Sequence, residues 1–323
     1  MNKSKRVIIS FSSNDWYAEH LCVAIYSLLK NLSKNHFANI YILDWGISSE
    51  NKKNIKSIVK KVWNGEIDFI LMDRSKYEGW NVKNLSQETY YRLDLPELLP
   101  NVDKILYLDV DLIISWDISS LFRIEINDKI AGAVREITTI NYYPDDHNIQ
   151  SPYRLFFNAG VLLLNLKKMR SDNTKEKILN CMQKHNFQLK THDQEALNIV
   201  LLNERESIHP KYNALPFLRA TKHWKHLWYT DEEFIEAKNN PIIIHFAGEK
   251  PWKQNCFHPL AYLYHNYREE VWLEPINFSE KIKFKDYLKQ KISQITLFLQ
   301  ANLPNKIYRY LIYKPYRFLF RIK

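Results

Sequence analysis

Asp103-Lys-Ile-Leu-Tyr-Leu-Asp109-Val110-Asp111-Leu-Ile-Ile-Ser-Trp-Asp117-Ile-Ser-Ser120 decides how the rest of the chain is read. Ile105 to Leu108 form a short apolar run behind a charged approach, the pattern of a buried strand. That strand delivers two carboxylates, Asp109 and Asp111, and more apolar residues follow at once. Residues two apart in an extended chain point the same way. Two aspartates so placed repel unless a cation lies between them or one takes up a proton. Hard oxygen ligands suit Mn²⁺ or Mg²⁺, ions that commonly bridge phosphates. A DxD alone is weak, because Asp also ends strands and makes turns.

Working outward, strand and helix patterns alternate. Arg6–Phe11, Asn39–Leu43 and Ile67–Met72 read as strands, and Tyr17–Leu32 and Ser48–Trp63 as helices. Gln87–Leu93 reads as helical before the carboxylate strand. The succession predicts βαβ units, an α/β fold and a mainly parallel sheet. Ligands bind beyond the carboxyl ends of strands in such sheets. Ser12–Asn14 and Asp109–Asp111 are therefore expected to open onto one crevice. Further along, Ile130–Val134 and Gly160–Leu166 read as strands, and Met169–Lys184 and Asp193–Leu202 as helices. Pro241–Ile244 is a short apolar run that delivers His245.

Composition narrows the function classes. The 323 residues are 46% hydrophobic and 14% aromatic, enough for one large core. Cys22, Cys181 and Cys256 are far apart and lack CxxC spacing, so neither a disulfide framework nor a zinc site is suggested, and a cytoplasmic setting is expected. Six glycines and no GxGxxG argue against a dinucleotide-dependent dehydrogenase. Residues 281–323 hold eleven Lys or Arg against one acid, Asp286. That difference equals the whole net charge of +10, so the first 280 residues are formally neutral. Nucleic-acid binding is not expected of a neutral body. The composition changes near Asn277–Glu280, which suggests a catalytic domain over 1–278 and a basic, aromatic-rich segment over 279–323. That segment reads as an anchor for an anionic membrane surface. A helical hairpin packed on the body, or RNA binding, are the other readings of it.

Three further motifs gain meaning together. His245 is followed by Gly248 and Lys250, a glycine for close backbone approach and a point charge suited to phosphate. Asn158-Ala-Gly160 precedes the run Val161-Leu-Leu-Leu164, where a turn is the ordinary reading. Thr191-His192-Asp193-Gln194-Glu195 opens a helical pattern, in which Asp193 could act as an N-cap.

In order along the chain stand Trp16-Tyr-Ala-Glu-His-Leu-Cys-Val-Ala24, Thr89-Tyr-Tyr-Arg92-Leu, Lys104-Ile-Leu-Tyr-Leu-Asp-Val-Asp111, Phe157-Asn-Ala-Gly-Val-Leu-Leu-Leu-Asn-Leu166, His192-Asp-Gln194 and His245 to Trp252. This ordered set, over roughly residues 6–256, resembles glycosyltransferase family 8, in particular the bacterial enzymes that build lipopolysaccharide and other surface glycans. The resemblance implies a GT-A fold, a UDP-hexose donor (galactose or glucose), Mn²⁺ and retention at the anomeric carbon. Asp109, Asp111 and His245 would hold the metal. Lys250 would contact the diphosphate, with the Val110 and Gly248 backbones nearby. Tyr17 would stack on uracil, with Ser12 and Asn14 along the nucleotide. Arg92, Asn158 and Asp193 would line the donor sugar, and Gln194 its face opposite the leaving group. Glu136 falls where the family has an acceptor-side carboxylate. The acceptor would be a glycan or glycolipid at the cytoplasmic membrane's inner leaflet. Asn14 and Trp16 depart from the family's usual Asp and Asn. A non-catalytic sugar-nucleotide-binding or scaffold protein, and a DxD phosphotransferase, are the competing readings.

Overall fold

The computed structural model describes residues 5–77, 80, 87–126, 128–136, 156–189, 191–216, 229–248, 250–253, 256 and 258–271. They fall into two compact units, the first ending at His245 and the second beginning at Phe246.

A seven-stranded sheet organises the first unit. Its strands are β1 (Lys5–Ser13), β2 (His36–Asp44), β3 (Gly65–Leu71), β4 (Lys104–Leu108), β6 (Ala131–Arg135), β7 (Phe157–Asn165) and β8 (Arg205–Ser207). Their order across the sheet is β3-β2-β1-β4-β7-β6-β8. All neighbours pair in parallel except β7, which runs against β4 and β6. A separate two-stranded ladder joins β5 (Leu112–Ile114) to β9 (Ile243–His245).

The central parallel strands β1 and β4 are buried on both faces over most of their length, as a sheet covered by helices requires, while β3 is not. Ile105 to Leu108 are all buried, as is most of β1. The helix Ala18–Asn31 lies between β1 and β2 in sequence and is buried without a break from Leu21 to Leu29. The helix Ser49–Val62 is one-sided, burying Ile55, Ile58 and Val59. Ser48 caps it by accepting from the Asn51 N–H at 3.2 Å, and Asp15 accepts from the Ser48 N–H at 2.7 Å. It stops where Trp63 takes a left-handed conformation, φ 65°.

Topology then creates the crevice. The chain runs β1, β2, β3 to one side, then returns to place β4 on the other side of β1. The order reverses between β1 and β4, and the carboxyl ends of those strands part there. Antiparallel β7 enters the sheet from the same end. Leu108 pairs with Val161, and the Asp109 N–H donates to Gly160 O at 2.8 Å. The start of β7, with Asn158 and Gly160, therefore lies beside the end of β4. The β5–β9 ladder sets Leu112 opposite His245, carrying the imidazole back to Asp111 across 134 positions of sequence.

Several expectations need correction. Ser12 and Ser13 belong to β1, which is longer than its apolar run. Gln87–Asp94 is a 3-10 segment. The expected helix over Met169–Lys184 is two, Leu166–Ser171 and Thr174–Lys184, broken where Asn173 adopts φ 50°. Asp193 is the first helical residue, and His192 holds the N-cap position.

The described part of the second unit carries the helix Ala261–Glu270. Phe246 meets the His258 ring edge-on at 4.5 Å, and Trp252 lies 5.6 Å from Tyr264. The basic segment 279–323 lies outside the described residues. Among the described residues, no helix is long and apolar enough to cross a membrane.

Candidate active site

Asp109, Asp111 and His245 converge at the open end of β4. One ligand atom from each lies within 4.8 Å of the others. His245 Nε2 is 3.2 Å from Asp111 Oδ1, both groups being buried. Adjacent ligands of an ion with bonds of about 2.1 Å lie about 3 Å apart, so the His245–Asp111 separation fits two neighbouring ligands of a small divalent cation. Gly160 completes the fit by having no side chain. A Cβ there would press on His245 Cε1 and lie 2.7 Å from Asp109 Oδ2. Val110 sits between the two acids, half-buried.

Beside the carboxylates, Arg92 is almost fully buried at 4% exposure. Its guanidinium stacks on the Tyr107 ring 4.4 Å from the centroid. Nε donates to Thr89 O at 2.7 Å, Nη2 donates to Thr89 Oγ1 at 2.6 Å, and Nη1 donates to Ala159 O. Two carboxylates stand close, Asp193 Oδ2 at 3.0 Å from Nε and Asp109 Oδ1 at 3.4 Å from Nη2. The Nε hydrogen is committed to Thr89, so Asp193 is held by charge here and by the Thr89 hydroxyl, which donates to its Oδ1 at 2.8 Å. Burial alone would lower the Arg92 pKa, but Tyr107, Asp193, Asp109 and Asp111 outweigh it and keep the cation charged. Burial raises the Asp193 carboxyl, against the pull of Arg92 and Thr89. Burial opposes the charged form of both partners, so removing either would leave a buried charge uncompensated.

On the far side of Gly160 lies an amide cluster. Gln194 Oε1 accepts from the Ala159 N–H at 2.9 Å, and Gln194 Nε2 donates to Glu136 Oε2 at 3.0 Å. Asn158 Nδ2 is 3.3 Å from both Glu136 Oε2 and Gln194 Oε1. Asn158, Gln194 and Glu136 therefore meet in one cluster, while the Asp193 side chain is held at Thr89 and Arg92.

At the end of β1, Ser12 Oγ donates to Glu88 O at 2.8 Å. Asn14 Oδ1 accepts from the Tyr17 N–H at 3.1 Å, and Asn14 Nδ2 donates to the buried Glu88 carboxylate. Asn14 thus fixes the short turn Asp15–Tyr17. Tyr17 is half-buried, its ring 5.8 Å from His20, while Trp16 is 90% exposed. Gly248 and Lys250 belong to the second unit. Gly248 has φ 88° with open space where a Cβ would stand, and Lys250 Nζ donates to Phe246 O at 3.2 Å. The Cys22 thiol is buried and pushed up to about 12, which makes it a poor nucleophile.

Two functional neighbours carried no sequence signal. Asn213 is fully buried and touches His245, and Glu88 orients Asn14. Their partners are distant in sequence, so no local spacing could have indicated them.

The comparisons agree with this geometry. The family profile described as glycosyl transferase family 8 matches residues 8–256. General stress protein A of Bacillus subtilis (strain 168) is 29% identical over 273 residues, covering 83% of this chain and 94% of that protein. A lipopolysaccharide 1,2-glucosyltransferase of Escherichia coli is 23% identical, covering 76% of this chain and 72% of its own length. Among solved structures, the galactosyltransferase LgtC in complex with donor and acceptor sugar analogs superposes with a TM-score of 0.73 at 25% identity, over 84% of this chain and 99% of LgtC. A GT-A sheet, an acid–acid–imidazole cluster at its switch point and a profile spanning most of the chain lead to one placement: the protein is a member of glycosyltransferase family 8.

Proposed function

We propose that the protein is a Mn²⁺-dependent retaining hexosyltransferase that moves galactose or glucose from a UDP-sugar to a surface glycan or glycolipid. The Asp109–Asp111–His245 cluster at the β1/β4 switch point carries this reading. The likeness to LgtC and to a lipopolysaccharide glucosyltransferase supports the substrate class. Asp109, Asp111 and His245 would hold the ion, which would supply positive charge to the diphosphate. Mg²⁺ would suit the same oxygen ligands.

The chain's own residues would do the rest. Ser12, Asn14 and Tyr17 would receive the nucleoside, the Tyr17 ring by stacking. Arg92 would hold its fixed positive charge beside the donor sugar, with Asn158 and Asp193. Lys250 and the Gly248 backbone would meet the departing diphosphate, which gains negative charge as the bond from the anomeric carbon to phosphate oxygen breaks. The acceptor hydroxyl oxygen would bond to the anomeric carbon on the face the diphosphate leaves. Its proton would pass to the departing phosphate oxygen.

Gln194 favours this same-face route over a covalent intermediate. Its Oε1 already accepts from the Ala159 N–H, and an amide is a poor nucleophile. Asp193 is buried against Arg92. A panel of UDP-sugars, assayed for UDP release with and without Mn²⁺, tests the reading. One hexose should be turned over only with the ion, and no turnover of any would refute it. In the same assay Gln194→Ala should keep measurable transfer, with a fall of about 10–100-fold, the scale of a lost positioning contact. Complete loss would instead favour a covalent role.

The membrane role belongs to residues 279–323 and rests on their charge and aromatic content. The full chain should sediment with vesicles rich in anionic lipid and stay in solution with zwitterionic ones. Equal sedimentation with both would count against an electrostatic anchor. Held by that segment, the protein would work as a peripheral enzyme on the inner leaflet.

A further inference from the structure

The hydrogen bonds around His245 have a defined polarity. A backbone N–H can only donate, and that of Gly160 lies 2.9 Å from Asn158 Oδ1. The Asn158 amide is thereby oriented, oxygen toward Gly160. Asn213 approaches the same oxygen at 3.0 Å. Two amide oxygens would repel at that distance, so Asn213 presents Nδ2 and turns its own Oδ1 away. That Oδ1 is 2.9 Å from His245 Nδ1. An amide oxygen accepts and cannot donate, so Nδ1 carries a hydrogen. In a neutral imidazole the lone pair is then on Nε2, the nitrogen that lies 3.2 Å from Asp111 Oδ1.

We propose that Asn213 is a positioning residue that holds His245 in the Nδ1–H tautomer and so keeps Nε2 open to the cation. The inference rests on the cation reading of this site. Without Asn213 the opposite tautomer would be the more stable. A carboxylate is a stronger acceptor than an amide, so the ring would place its hydrogen on Nε2 and donate to Asp111. That arrangement occupies the lone pair and one carboxylate oxygen with each other. Asn213 is fully buried. It offers Nδ1 an acceptor whose direction is fixed, through Asn158, by a peptide group of β7. The same Asn158 amide faces Gln194 and Glu136 with its nitrogen, so one backbone N–H sets the polarity on both sides of the site. Partners of this kind around a metal ligand typically change affinity by about 10–100-fold.

Nitrogen-15 NMR of the full-length, metal-free, histidine-labelled protein reads the tautomer directly. Spectra are recorded at rising pH until the ring-nitrogen shifts no longer change, and the tautomer is read there. The His245 signals, assigned with His245→Gln, should show a protonated Nδ1 and an unprotonated Nε2. Asn213→Leu should reverse that pattern and weaken Mn²⁺ binding by calorimetry about 10–100-fold. Asn213→Asp still offers Nδ1–H an acceptor and should keep the wild-type tautomer, with a lower melting temperature because its second oxygen then faces Asn158 Oδ1. A protonated Nε2 in the wild type would overturn the proposal, as would a protonated Nδ1 that persists in Asn213→Leu. If Asn213→Leu does not fold, the wild-type spectrum decides alone. Absence of sugar-nucleotide turnover would sink the donor reading without altering the ring pattern, so the two stand or fall separately.

Discussion

Asp111→Asn is expected to remove nearly all Mn²⁺-dependent turnover of a UDP-hexose, a fall on the order of 10²–10³ or more, and to leave the fold intact. Asn is nearly the same size as Asp, so packing at the start of β5 is kept. What changes is charge and chemistry: one anionic oxygen becomes an NH₂, which cannot ligate a cation through a lone pair. The site as it stands gathers two carboxylates and an imidazole, with Asp193 behind Arg92. Removing one negative charge relieves repulsion between Asp109 and Asp111. The melting temperature should therefore be unchanged or slightly higher, which separates lost chemistry from lost structure. UDP release against Mn²⁺ concentration, beside a thermal melt, checks both. Wild-type turnover by a folded Asp111→Asn would remove that residue from the metal site.

Gly160→Ala should do comparable damage through a single methyl group. The position lies in β7, paired to β4 and followed by a fully apolar run, so its backbone has little freedom to move. The methyl would press on His245 Cε1 and stand 2.7 Å from Asp109 Oδ2 and 3.1 Å from Asn158 Oδ1. Something must shift, and the softest neighbours are the ligands themselves. Overpacking of this kind costs about 1–3 kcal/mol. The larger expected effect is on the cation, with Mn²⁺ affinity down at least about 10–100-fold, since displacing a ligand exceeds the loss of a partner to one. Calorimetric titration of the folded variant checks this. An affinity equal to wild type would show that β7 yields and that Gly160 is not there to make room.

The parallel half of the fold was legible because β1, β2 and β4 are apolar runs bounded by polar turns. The helix after Ser48 was legible because a cap, a one-sided apolar pattern and a stop all agree. The direction of β7 was not. Val161 to Leu164 is as apolar as Ile105 to Leu108, and an apolar run has no arrow. β5 and β8 are three residues each, and Arg205-Glu-Ser carries no apolar signal at all. The break at Asn173 was hidden because a left-handed residue leaves no mark on helical periodicity.

At the site, the acid pair announced itself through local spacing. His245 was marked by the apolar run before it and by Gly248 and Lys250 after it, and the ordered resemblance added its metal-ligand role; the β5–β9 ladder supplies the physical reason it reaches Asp111. Asn213 bonds to residues 32 and 55 positions away, and only the fold relates them. Gly160 read as a turn residue, yet its φ is ordinary and its role is the space it leaves.

Mn²⁺ titration of the full-length protein with saturating UDP, followed by electron paramagnetic resonance, tests the acid–imidazole cation site most directly. One ion per chain should bind to the wild type, and binding should be lost or greatly weakened in Asp109→Asn, Asp111→Asn and His245→Gln. Undiminished binding in those three variants, or no bound ion in the wild type, would contradict it.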